Sequence, residues 1–152
     1  MKEVNIGLSS TSIPWEKCAN KRQALREMTE TVSNFVSEKD YGESIETILV
    51  GLLADDSIYD DFSKPRRPRY TEHKETKAFG SIPIVIHKSL ELEIKLNYEQ
   101  VLAAEGKEFI EMIALEVLNL FHGMKLPKKV TDFDRDRFVA DMDKLFHEKF
   151  LN

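Results

Sequence analysis

The most constraining stretch of this chain is Leu90-Glu91-Leu92-Glu93-Ile94-Lys95-Leu96. Apolar and charged residues alternate strictly, and a β-strand sends successive side chains to opposite faces. A strand over 90–97 therefore has one apolar face and one charged face. The apolar face has to be covered, and the charged face requires nothing above it. We expect half-covered antiparallel sheet, with helices on one side only.

The covering material is visible elsewhere. Leu25, Met28, Val32, Phe35 and Val36 recur at helical spacing within 20–38, and Gly42 is placed to follow that helix end. Phe109, Ile110, Ile113, Ala114, Val117, Leu118 and Phe121 form a broad stripe, with Gly123 and Pro127 where a helix should stop. Phe138, Val139, Met142, Leu145, Phe146 and Phe150 make a third apolar face, capped by Thr131 or Asp132. Asn97 is suited to cap a short helix from Tyr98 to Ala104, which Gly106 then interrupts.

The other strands read less cleanly. Val4, Ile6 and Leu8 alternate in a short first strand over 4–9. Residues 44–53 form a nearly unbroken apolar run with β-branched Ile45, Thr47, Ile48 and Val50, the composition of a central strand. Residues 54–74 have two prolines and no hydrophobic period, and read as a long loop. Residues 77–86 read as an edge strand, since Pro83 lacks an N–H, with 87–89 as the turn into 90–97. The sum is one α+β domain over 1–152: a small antiparallel sheet of about four strands with helices packed on one face.

Composition narrows function by exclusion. Lys plus Arg number 22 against 27 Asp plus Glu, a net charge of −5, a poor match for a protein that grips nucleic-acid phosphates. No apolar run approaches the length of a membrane span, and no signal-peptide core follows Met1. The single cysteine, Cys18, forms no internal disulfide, and we expect a cytoplasmic protein. His73, His87, His122 and His147 lack metal-site spacing, the serines have no nucleophile elbow, and the six glycines make no phosphate cradle. We expect no catalytic residue, no metal and no cofactor.

Two patches remain. Asp55, Asp56, Asp60 and Asp61 surround Ile58, Tyr59 and Phe62, apolar anchors in an acidic setting that suit a basic protein partner. A solvated acidic loop is the equally weighted alternative. Lys64-Pro65-Arg66-Arg67-Pro68-Arg69-Tyr70 is the opposite, with six basic and two acidic residues between 64 and 77. Pro65 and Pro68 exclude a basic helix, and only Tyr70 offers base stacking. Arg66, Arg67 and Arg69 have two readings: a contact to RNA, or a stiff loop folding back on Asp60, Asp61 or the acidic strand face of Glu91 and Glu93.

Three segments in this order resemble the immunity proteins of bacterial polymorphic-toxin systems, including contact-dependent inhibition. They are the basic run from Lys64 to Thr71, the strand-to-helix passage from Leu90 to Glu99, and the last helix opened by Asp132-Phe133-Asp134 and continuing through Phe138, Asp141 and Lys144-Leu145-Phe146. The resemblance implies a small α+β protein without catalytic residues that binds and blocks a cognate toxin domain. Many such toxins are basic nucleases. The expected partner contacts are Asp55, Asp56, Tyr59, Asp60, Asp61, Arg66, Arg67, Arg69 and Tyr70. A regulatory or adapter protein, touching RNA through the 64–70 loop, is the alternative.

Overall fold

A computed structural model describes residues 1–8, 15–53, 68–75 and 85–152. The chain runs β1 (Glu3–Leu8), α1 (Trp15–Ser37), β2 (Thr47–Leu53), β3 (Arg69–Glu75), β4 (Val85–Lys95), α2 (Tyr98–Ala103), α3 (Gly106–Gly123) and α4 (Arg135–Lys149). The four strands form one sheet in the order β1-β2-β4-β3.

The α+β class and the four strands agree with the sequence, but the sheet is mixed. β1 pairs with β2 in parallel, β2 with β4 in parallel, and only β3 with β4 antiparallel. β4 inserts between β2 and β3, so these two strands, consecutive in sequence, are not neighbours. The long α1 supplies the crossover that a parallel β1–β2 pair requires.

Three local expectations change. Residues 69–75, expected in a loop, form β3; an edge strand tolerates charge on both sides, so its sequence shows no apolar alternation. The expected turn at 87–89 is interior to β4, which begins at Val85. Most of the strand expected over 77–86 falls outside the described residues. The last helix is capped by neither Thr131 nor Asp132: Asp134 Oδ1 accepts from the Arg137 N–H at 3.2 Å.

Registered residues explain the core. Val4 lies beside Ile48 and Ile48 beside Leu90; Ile6, Val50 and Leu92 make the next row, and Leu8, Leu52 and Ile94 the third. Apart from Leu8, which is half-buried, these side chains are buried. Leu25, Met28, Val32 and Val36 of α1 and Phe109, Ile113, Val117 and Phe121 of α3 belong to the same core. α4 adds Phe138, Met142 and Phe146, with Phe121 and Phe138 in edge-to-face contact at 5.1 Å between centroids. Cys18 is fully buried among them as a small apolar residue.

α1 also closes one sheet edge. The Ser33 hydroxyl accepts from the Val4 N–H and donates to the Val4 carbonyl, both at 3.1 Å. One helical turn earlier, the Thr29 hydroxyl accepts from the Ile6 N–H at 3.0 Å and donates to its carbonyl at 3.2 Å. The spacing makes this work. Four helical residues rise about 6 Å and two strand residues about 6.6 Å, so an antiparallel helix keeps both hydroxyls in step with the edge. Each hydroxyl replaces the carbonyl and N–H of a missing neighbour strand.

A second junction ties residues 40–46 to the start of α4. The Asp132 carbonyl accepts from the Ser44 N–H at 3.0 Å, its carboxylate accepts from the Glu43 N–H at 3.1 Å, and its own N–H donates to the Ser44 hydroxyl at 2.8 Å. Gly42 has φ +107°, and a Cβ there would lie 2.4 Å from the Asp132 carbonyl oxygen. Gly42 is thus required by this close approach, and α1 has already ended at Ser37. Beside it the buried Tyr41 donates its phenol to Asp141 Oδ2 at 2.7 Å. Burial first, then the bond to Asp141 and its charge, hold that phenol above its ordinary value; Arg137 opposes them weakly.

Two predictions concern these junctions. Replacing Thr29 by Val and Ser33 by Ala together should lower stability by about 2 kcal/mol in urea unfolding, with a drop in thermal midpoint of roughly 4–8 °C. An unchanged midpoint would mean that the edge hydroxyls contribute nothing. The raised Tyr41 phenol stays protonated in the fold where the unfolded chain begins to ionise. Its contribution is therefore complete below about pH 10 and declines as the pH rises beyond it. Unfolding titrations from pH 8 upward should show a shallower alkaline decline in Tyr41→Phe than in the parent.

Candidate partner-binding surface

Of the nine residues expected to meet a partner, the structure describes Arg69 and Tyr70. Asp55, Asp56, Tyr59, Asp60, Asp61, Arg66 and Arg67 lie outside the described residues. Arg69 opposes Glu91 across the β3–β4 pair. Its Nε donates to Glu91 Oε2 at 2.8 Å, and a terminal guanidinium nitrogen bonds the same oxygen. The bond and then the charge of Glu91 raise the Arg69 pKa, with Glu93 adding to them. Arg69 is exposed yet already paired, and its partner is the acidic strand face that the sequence offered as one counterpart.

Tyr70 points the other way. It opposes Leu90, packs on the core, and donates its hydroxyl to the Ser44 carbonyl at 2.8 Å, with Glu72 Oε1 at 3.2 Å. Burial, then Glu72, raises its phenol. Here the aromatic ring fastens β3 to the 40–46 segment. The two adjacent residues thus sit on opposite sheet faces, as strand geometry demands.

The chemistry available elsewhere is limited. Among the described residues there is no group of three or more His, Cys, Asp or Glu arranged to hold a metal. His122 Nε2 lies 3.1 Å from Asp143 Oδ1, and His147 Nδ1 lies 2.7 Å from the Asp143 carbonyl, which links α3 to α4 on the surface. Lys21 is 7% exposed, its Nζ 3.5 Å from the Leu102 carbonyl and 5.9 Å from the Phe109 ring centroid. A polar groove of about 650 Å³ runs between α1 and β1, with Arg22, Arg26, Glu30, Glu3 and Asn5 on its walls. It places charges of both signs together and converges on no single anion or cation.

The outward side of α3 has a different character. Its core stripe faces the sheet and α4, which leaves Glu108, Leu115, Glu116, Asn119 and His122 exposed, with Glu111 and Met112 half-buried among them. Leu115 is 50% exposed and is the one exposed large hydrophobic residue among those described. Residues 98–123 contain five glutamates and one lysine, Lys107, which lies 3.7 Å from Glu111. In the sequence the buried stripe dominates this helix, and no period marks its other side. The available signal was that glutamate excess, with Met112, Leu115 and Leu120 standing outside the apolar stripe.

The C-terminus of α3 is rigidly held. Arg135 Nε donates to the Met124 carbonyl at 2.9 Å, and its guanidinium also bonds the His122 carbonyl. A cation thus satisfies the free carbonyls and the negative dipole end.

The family model described as Immunity protein 44 matches residues 3–148, nearly the whole chain and every element above. No curated protein and no solved structure matches. No helix among the described residues is long and apolar enough to cross a membrane.

Proposed function

We propose, from the premise that the chain belongs to the Immunity protein 44 family, that it neutralises a cognate toxin domain by binding it one to one and covering its active site or an adjacent exosite. The family match over residues 3–148 is the observation that carries this reading. An immunity protein of a polymorphic-toxin system protects the cell that makes the toxin, and we place the encounter in the cytoplasm. The protein transforms nothing in this mechanism; its effect comes from occupancy.

The partner best suited to a chain of net charge −5 is a basic domain, with nucleases the leading class. An acidic inhibitor presents carboxylates where such an enzyme receives phosphates, and long-range attraction speeds encounter. Bacterial nuclease–immunity pairs reach some of the highest affinities of any protein complex. Asp55, Asp56, Asp60 and Asp61 supply acidic charge close to Tyr59, and we retain them as proposed contacts. Arg69 is engaged by Glu91, which weighs against the RNA-touching alternative.

The test is a reconstitution with the toxin domain encoded beside this chain. Equimolar protein should abolish toxin activity and co-elute with the domain. Reversing Asp55 and Asp60 to Lys should slow association at least tenfold at low salt and flatten its salt dependence. A toxin that stays fully active in excess of this chain would overturn the proposal. Unchanged kinetics in the double variant would remove the acidic segment from the interface.

A further inference from the structure

The outward side of α3 combines three properties in the described residues. It is acidic on balance, with Glu108, Glu116 and Glu111, the last ion-paired to Lys107; it has the exposed Leu115 among them; and it is packed beneath by Phe109, Ile113, Val117 and Phe121 and held at its end by Arg135. From these we infer that the Glu108–His122 ridge is the docking surface for a basic protein face, with Leu115 as the anchor that enters an apolar socket on it. This inference deepens the toxin-binding reading and rests on it.

The arrangement follows from helix geometry. Glu111 precedes Leu115 by one turn and Glu108 by two; Glu116 flanks it, and Asn119 follows by one turn. The leucine thus stands in a setting of carboxylates with a polar amide beyond. From Glu108 to His122 the ridge is about 21 Å long at 1.5 Å per residue. That length suits the core of an ordinary interface, which buries about 800 Å² on each partner.

Burial of one well-seated side chain supplies stability to such a complex, whereas exposed charges around it set the rate and choice of partner. A leucine ringed by glutamates selects against acidic proteins and against free self-association. Its complement is a lysine- and arginine-rimmed apolar hollow. The partner of stated chemistry is therefore the basic surface of the toxin domain. Asp143 extends the same sign of charge onto α4 through its contact with His122.

The experiment measures binding of the neighbouring toxin domain by calorimetry and by stopped-flow association at several salt concentrations. Three variants are compared with the parent: Leu115→Arg, the pair Glu108→Lys with Glu116→Lys, and a control reversal on α1, Glu27→Lys. Leu115→Arg and Glu27→Lys should unfold at the parent's temperature because those side chains face solvent, and the double reversal slightly lower, because Glu108 lies in the first turn of α3 where a carboxylate is favoured. We expect Leu115→Arg to weaken binding at least a hundredfold, mainly through dissociation. The double reversal should slow association tenfold or more and flatten its salt dependence, and the control should bind within twofold of the parent. If the parent binds tightly and all variants match it, the α3 surface is wrong while the toxin-binding reading stands. If the parent does not bind the toxin domain, that reading fails and the inference fails with it. If Leu115→Arg lowers the unfolding temperature, Leu115→Gln takes its place, and parent-like binding by that substitution overturns the anchor role.

Discussion

The parallel register of β2 against β4 is the constraint from which the rest follows. It aligns Ile48 with Leu90, Val50 with Leu92 and Leu52 with Ile94, so three pairs of large side chains point to the same side of the sheet. A parallel pair cannot be joined by a tight turn, so the chain must travel between them. β3 lies in that excursion and returns antiparallel on the far side of β4. On the near side, β1 extends the apolar rows and α1 crosses over them. One slipped residue in the β2–β4 register would turn every buried side chain to the other face. The rows therefore specify the sheet together or not at all.

A sheet built this way has two edges, and they are protected by different means. At β1 the hydroxyls of Thr29 and Ser33 satisfy the free backbone groups at the spacing of a neighbouring strand. At β3 the sequence Arg69-Tyr70-Thr71-Glu72-His73-Lys74-Glu75 places charge along the outer strand. Charge on an edge discourages pairing with another chain. The first device needs an adjacent helix, and the second needs only composition.

These devices explain what could be read in the sequence and what could not. The helices were legible because burial of one side imposes a 3.6-residue period, as in Leu25, Met28 and Val32. The apolar alternation of Leu90, Leu92 and Ile94 marked β4 and its acidic side, which the structure leaves half-buried at Glu91 and Glu93. Parallel pairing left no local mark: Ile48 and Val50 are β-branched in either orientation, and only the partner decides. β3 was read as loop because its one core-facing aromatic, Tyr70, cannot create a period. The cap of α4 was misplaced by two or three residues, since Asp132 and Asp134 both suit that role. Asp132 is instead drawn to the 42–44 backbone, an attachment about ninety residues distant in sequence. Among the expected contacts, Arg69 and Tyr70 could be placed on opposite faces only once β3 was known to be a strand.

The same architecture bears on what the helices offer to a partner. Covering one sheet face with helices commits the apolar side of each helix inward, and the outward sides are left to charge. On α3 the outward side has three carboxylates, Glu108, Glu111 and Glu116, against one lysine, a balance that favours approach to a basic surface. Speed alone does not hold a complex together, because exposed ion pairs contribute little and weaken with salt. A durable complex requires some dry contact. In the complex we propose, the single exposed leucine of α3 would supply it without the broad apolar patch that causes aggregation. The firm packing beneath α3 completes the argument: a helix already fixed in place loses little freedom on docking, so more of the contact energy remains as affinity.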